Sequence, residues 1–438
     1  MTLLPDWDPR TPAMIARSMR HSGHSVAVLR RWFDECSTHT YTHTNQVGLG
    51  EVDGWHTDPA TGDIRRRAGE FFTVTGLAVD MPGVRRWRQP IIVQPEVGVL
   101  GILVRRMDGV LHCLMQAKAE PGNSNGIELS PTVQATRSNY TRVHGGKPVP
   151  YLEYFVDRSR VTVLADVRQS EQGSWFHRKR NRNMVVEIDQ DVEVLDGFRW
   201  LSLGDVHRLL AADDMVNMDT RTVLSCLPLA GPVRSLHPMG DVLSWITERR
   251  TATEITTRLV PLNSVGDGWH RASAGISHET GRYFDVIGVD VLAGGREVGH
   301  WQQPMLRPHG NGIVAFLLRD IGGVPHVLAH ARVEPGFVDV VELAPTVQCA
   351  PENYESSERP LFLDEVLGAR PVFASMLSEE GGRFYHARNS YRVVRTDLAD
   401  EPPGYRWISV HQLVELLRHS HYVNVQARTM IACLRGLS

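Results

Sequence analysis

Gln116, Lys118 and Glu120 alternate along a β-prone run that Pro121-Gly122 brings to an end, with Asn123 next. A strand period of two puts the three side chains on one face. A carboxylate can take or give a proton and a lysine can hold a developing anion, so the trio suits acid–base chemistry. A solvated strand face is the plainer alternative. Glu128, Ser130, Thr132, Gln134, Thr136, Asn139 and Tyr140 follow, rich in hydrogen-bonding groups and poor in apolar ones, which argues against a simple buried strand. Arg137, Arg142, His144 and Lys147 close the segment. Beside hydroxyl and amide donors, such cations suit a diphosphate through charge-assisted bonds; an ordinary basic loop is the bland reading. Trp87 and Gln89 can stack on a base and read its edge, or anchor a core. Tyr151 and Tyr154 add aromatic surface, and Arg180 completes the candidate binding set.

Much of this pattern occurs twice. Glu334-Pro335-Gly336 and Glu342, Thr346, Gln348, Asn353 and Tyr354 repeat the first cluster at a constant 214 positions. The register holds without a gap from Trp87/Trp301 to Tyr140/Tyr354, with 22 of 54 positions identical, so the chain is a duplicated module. Trp301 and Gln303 repeat Trp87 and Gln89, Arg332 stands for Lys118, and Arg388 for Arg180. The cations diverge: Pro351, Ser356 and Glu358 stand where the first copy has Arg137, Arg142 and His144. The first copy is therefore expected to catalyse, and the second to be structural or to bind nucleotide without turnover.

The elements that must position these groups are α+β. Runs over 98–104 and 110–117 flank Asp108-Gly109, a hairpin signal; 313–318 and 324–331 flank Gly322-Gly323. Ser202 and Ser409 are predicted N-caps of short helices, and helices are predicted over 26–33, 242–249, 220–227 and 427–434. The repeat predicts modules at 1–231 and 232–438.

With 438 residues, two domains are expected on length alone. A net charge of −3 gives no general field for nucleic acid or anionic membrane. Five scattered cysteines fit reduced core residues, and no apolar run reaches membrane-spanning length, so a cytoplasmic protein is expected. His39 and His43 lack a third ligand at metal-site spacing, and no Gly-rich phosphate loop, GxSxG elbow or CxxC pair is present.

The run 116–147, continuing through Tyr151, Glu153, Tyr154 and Phe155, resembles the NDP-hexose 2,3-dehydratases over nearly the whole chain. The resemblance implies two tandem Nudix-like mixed-sheet modules with flanking helices, and a homodimer. It implies a dTDP-4-keto-6-deoxyglucose substrate that loses water across C2 and C3. The product is then a 3,4-diketo-2,6-dideoxy sugar, captured by a separate 3-ketoreductase in antibiotic deoxysugar biosynthesis. The clustered glutamates of a Nudix hydrolase box are absent from both copies, so the likeness is one of fold. The C4 ketone acidifies the C3 proton and the enolate can expel the C2 hydroxyl, with no redox cofactor or metal required. Glu120 and Glu128 are the carboxylate candidates, with His144 and Tyr140 as alternatives. Lys118 or Tyr140 would stabilise the enolate. Arg137, Arg142 and Lys147 would hold the diphosphate, and Trp87 with Gln89 the thymine. A non-catalytic nucleotide-sugar binding module, or a Nudix-like hydrolase with a rearranged metal site, are the competing readings.

Overall fold

The computed structural model describes residues 8, 10–67, 71–136, 148–231, 234–296, 298–355 and 358–436. The predicted hairpins form, Gly98–Met107 with Val110–Ala119 and Gly312–Ile321 with Val324–Val333. Each is the centre of a seven-stranded sheet. In the first, Arg180–Ile188 runs parallel to Gly98–Met107, while Phe198–Ser202 lies antiparallel to Val110–Ala119. In the second, Arg388–Arg395 and Tyr405–Ser409 take the same places beside their hairpin. Alternation makes this possible: Leu111, Cys113, Met115 and Ala117 all point into the main core.

Ser202 and Ser409 cap helices Leu203–Leu209 and Val410–Leu416 by accepting the N–H of the third helical residue. The terminal helices of the copies, Met218–Ser225 and Val425–Arg435, are capped by Asn217 and Asn424 and pack against each other. They carry the fully buried Arg221 and Arg428. Arg221 bonds Val216 O, Thr429 Oγ1 and Ser378 O, and Arg428 bonds Val423 O, Thr222 Oγ1 and Ser170 O. Each guanidinium thus bonds groups of both copies through all three nitrogens, which makes its burial tolerable and ties the copies by an approximate twofold.

Two smaller sheets are exchanged. Strand Tyr41–Val47 of the first copy lies antiparallel to Phe284–Gly294 of the second, and Thr256–Val260 of the second to Thr73–Met81 of the first. The two copies are therefore interlocked along the chain. All five cysteines are free and buried. Among the described residues no helix is long and apolar enough to cross a membrane.

Contrary to the sequence expectation, the polar segment after Asn123 holds buried strands, Ile127–Ser130 and Val133–Ala135. Its buried Glu128, Ser130 and Thr132 each make a bond, although Glu128 Oε1 has no partner among the described residues. Thr132 Oγ1 accepts from Leu103 N–H at 2.8 Å and donates to Leu114 O, and Thr346 repeats this between Leu317 and Leu328. Ser378 Oγ donates to Glu128 Oε2 at 2.6 Å, and Ser170 Oγ to Glu342 Oε2 at 2.6 Å.

Burial pushes Glu128 up to about 8 and Glu342 to about 7, from 4.5. An acid raised on folding binds its proton more tightly in the native state. Its stabilisation is therefore complete below about pH 4.5 and is lost as pH rises through 7 to 8. Each such carboxyl costs up to about 1.4 kcal/mol per pH unit across that window. Calorimetry from pH 5 to 9 is expected to show a melting temperature that falls with pH, less steeply in an E128Q/E342Q protein. An equal slope in both would refute this account.

Candidate active site

One cavity gathers groups from both copies. The first copy's main sheet supplies Gly98, Leu100, Lys118, Gln134 and Asn181, with Glu120 and Thr136 beside them. Glu171 and Lys179 come from the loop between Thr162–Ser170 and Arg180–Ile188, and Asp219 from helix Met218–Ser225. The second copy adds Arg296, Trp301, Gln303, Glu380 and Arg383.

The expected trio is partly assembled. Lys118 Nζ donates to Gln134 Oε1 at 2.8 Å and lies 3.4 Å from Glu120 Oε1, and Gln134 Nε2 donates to that oxygen at 3.0 Å. Burial alone would raise the Glu120 carboxyl; Lys118 and Arg296 more than offset it and hold the group below the usual range. Burial draws Lys118 down against the pull of Glu120. Arg332, Glu334 and Gln348 repeat the arrangement at 2.8 and 3.0 Å, so this triad belongs to the module rather than to one chemistry.

What differs between copies is more telling. Glu171, Asp219 and Glu380 each keep one carboxyl oxygen buried without a partner among the described residues. Burial raises all three: Asp219 well above its usual value, helped by the neighbouring Glu171, Glu120 and Glu380, and Glu380 to about 7. Lys179 is pushed down to about 8 by burial. Aligning Glu171–Asn181 with Glu379–Asn389 sets Gln172 opposite Glu380 and Ala387 opposite Lys179, and Gln426 stands where Asp219 does. The acidic, lysine-bearing character is confined to the first site.

Trp87 and Gln89 are not where the sequence suggested. Trp301 and Gln303 line the first copy's cavity, because each copy's Trp-bearing hairpin reaches across to the other. Gln303 holds Trp301 Nε1 at 3.0 Å and donates to Gly382 O at 2.7 Å. Gln89 holds Trp87 Nε1 at 2.9 Å and donates to Ser174 O at 2.9 Å, and Ser174 N–H in turn donates to Glu334, on the second copy's side. Arg296 lies over the Trp301 ring at 5.6 Å and donates to Ala119 O at 3.0 Å.

Other candidates lie apart from the cavity. Glu128 Oε2 accepts from Ser378 while its Oε1 has no partner among the described residues; Ser130 accepts from Asn217 at 2.9 Å, and Thr132 bonds its strands. Asn123 is buried and donates to Gly126 O at 2.9 Å. Tyr151 is in a separate apolar cluster, its hydroxyl held by Glu193 O and Leu195 N, with Tyr154 packed beside it. Arg180 begins its strand outside the cavity lining. In the second copy Arg388 pairs with Asp214, Asn353 accepts from Tyr283 N–H, and Tyr354 is exposed. Arg137, Asn139, Tyr140, Arg142, His144 and Lys147 lie outside the described residues. The sequence reading missed Glu171, Lys179, Asp219, Arg296, Glu380 and Arg383. A residue-by-residue comparison of 171–181 with 379–389 would have exposed three of them, Lys179, Glu380 and Arg383.

Fold and cavity together describe a duplicated α+β protein in which both halves line a cavity rich in ionisable groups. Its halves separately match the family profile "NDP-hexose 2,3-dehydratase", over residues 26–227 and 239–434. Relatives named dTDP-4-dehydro-6-deoxy-alpha-D-glucopyranose 2,3-dehydratase are similar throughout. That of Saccharopolyspora spinosa is 49% identical, covering 90% of this chain and 88% of its own. That of Amycolatopsis orientalis is 49% identical (93% and 90%), and that of Streptomyces violaceoruber 48% (94% and 97%). The chain belongs to the NDP-hexose 2,3-dehydratase family.

Proposed function

We propose that this chain is a hydro-lyase that removes water across C2 and C3 of dTDP-4-keto-6-deoxyglucose, in the cavity of the first copy. The observation that carries the location is the confinement of Glu171, Lys179, Asp219 and Glu380 to that one cavity. Lys118 faces the C4 oxygen and stabilises the enolate formed when C3 loses its proton. Loss of the C2 hydroxyl then gives an enol that becomes the 3,4-diketo-2,6-dideoxy sugar. Glu120, paired with Lys118 and Gln134, keeps the lysine charged and aimed. Arg296 and Arg383 serve the diphosphate, together with Arg137, Arg142 and Lys147. Trp301 stacks on the thymine.

Each module is read as Nudix-like, and the chain as a homodimer acting in the cytoplasm. A 3-ketoreductase then captures the unstable product in antibiotic deoxysugar biosynthesis. The test is consumption of dTDP-4-keto-6-deoxyglucose with that reductase coupled. Binding without consumption, or Mg²⁺-dependent release of dTMP, would refute the dehydratase reading. Trp301→Ala is expected to raise KM roughly 5- to 150-fold, the loss of about 1–3 kcal/mol of stacking. Trp87→Ala, on the other side, is expected to change KM far less. Equal effects would return the thymine to Trp87.

A further inference from the structure

We propose that Glu380, carried by the second copy, is the general base that removes the C3 proton at the first copy's cavity. The assignment rests on the dehydratase reading and deepens it.

The pseudo-twofold supplies the argument, since it shows the same corner with and without the carboxylate. In the second copy, Glu379 is fully satisfied. Its Oε2 accepts from Gln172 Nε2 at 2.7 Å, and its Oε1 from Asn389 Nδ2 at 2.6 Å and Tyr391 OH at 2.7 Å. That is a structural network centred on Glu379. In the first copy the same glutamate is Glu171, and only Asn181 Nδ2 reaches its Oε1, at 2.8 Å. Asn183 stands in place of Tyr391, and Glu380 in place of Gln172. An amide that would tie Glu171 down has become a second carboxylate, and the corner opens.

Glu380 spends Oε1 on the Gly382 N–H at 3.1 Å and leaves Oε2 without a partner among the described residues. Asp219, 3% exposed, lines the same cavity with its own unpartnered oxygen. Buried polar atoms left unpaired cost stability, and three carboxyl oxygens left so around one cavity, on Glu171, Asp219 and Glu380, are available to a ligand there. Glu120 is a poorer base, because Lys118 and Gln134 already occupy its charge. Burial brings Glu380 to about 7, near the range where a base is both ionised and strong. Arg383 and Lys179 nearby favour its ionised form.

The step balances as written. The C3–H electron pair passes to the C3–C4 bond as the C4 carbonyl becomes an enolate, and the proton moves to Glu380. The enolate then returns its electrons to form C2=C3 while the C2–O bond breaks. Proton and hydroxide together make the one water lost, and no oxidant or co-reactant enters.

Glu380→Gln is the decisive variant, since Gln172 already occupies the equivalent place and the loop accepts it. Proton NMR in D₂O reads exchange at C3 separately from elimination. E380Q is expected to lose C3 exchange and turnover by at least about 100-fold, with dTDP affinity and melting temperature near wild type. Glu380→Asp, which keeps the carboxylate, is expected to recover part of both rates. C3 exchange in E380Q within threefold of wild type would overturn the assignment. The wider reading fails separately, if the wild-type protein does not consume the substrate at all.

Discussion

Lys118→Met protein will fold, bind dTDP and turn over some 10²- to 10³-fold more slowly than wild type, the usual cost of removing one preorganised donor from a developing oxyanion. Lys118 is the cation at the end of the hairpin strand, with its side chain 14% exposed, and it lines the cavity. In so dry a place an ammonium interacts strongly with charge that appears during reaction. The loss belongs in kcat, because the C4 oxygen carries full charge only in the enolate. Methionine keeps the length of the stem, and Arg296 and Gln134 remain to hold Glu120. Lys118→Arg is the informative companion. Arg332 shows that the module accepts a guanidinium here, donating to both Glu334 and Gln348 O. That planar fork is committed to its neighbours, so K118R is expected to be folded and slow. Steady-state kinetics with the coupled reductase, alongside dTDP calorimetry, make the check. An unchanged kcat in K118M would remove Lys118 from the chemistry.

Gly122→Ala is expected to destabilise the whole protein, at the upper end of the roughly 1–3 kcal/mol typical of overpacking or beyond it. Gly122 N–H donates to Gly381 O at 2.7 Å and Gly122 O accepts from His386 N–H at 2.9 Å, so its backbone is clamped between the copies. A Cβ there would lie 1.8 Å from Phe384 O and 2.8 Å from Gly381 O. Both are backbone atoms and cannot swing aside. The twofold repeats this at Gly336, whose Cβ would lie 1.8 Å from Phe176 O. Relief requires the 380–384 loop to retreat, which would also move Glu380 and Arg383. G122A should therefore lose melting temperature and activity together. Gly240→Ala is the control, because a Cβ there meets nothing within 4 Å. A G122A protein melting within a degree or two of wild type would refute the clamp.

The repeated Glu-Pro-Gly thus has two separable meanings. Its glutamate holds the strand-end cation, and its glycine docks one copy on the other. From sequence both looked like parts of a site, because repetition marks constraint without saying which kind. Glu128 shows the same ambiguity. Its twin Glu342 makes the same serine bond across the interface, so that bond belongs to the module rather than to the first copy alone.

Features governed by near neighbours were legible in the chain. The 214-residue register set the duplication, Asp108-Gly109 and Gly322-Gly323 set the hairpins, and Ser202 and Ser409 set helix starts. Each depends on backbone preference or capping within a few residues. Strand partner choice lies beyond that range. Tyr41–Val47 carries no local mark that its partner is Phe284–Gly294, some 250 residues away, rather than its own copy's sheet. That exchange decided which tryptophan, Trp301 or Trp87, lines the cavity with Lys118. It also brought Glu380 and Arg383 beside Glu171 and Asp219. The sequence by itself determined the module, its duplication and the identity of the strand-end triad, because these are written in local pattern. Only the tertiary structure decided which copy's groups share a cavity and which carboxyls lack a partner there, because packing between distant segments determines burial and pairing.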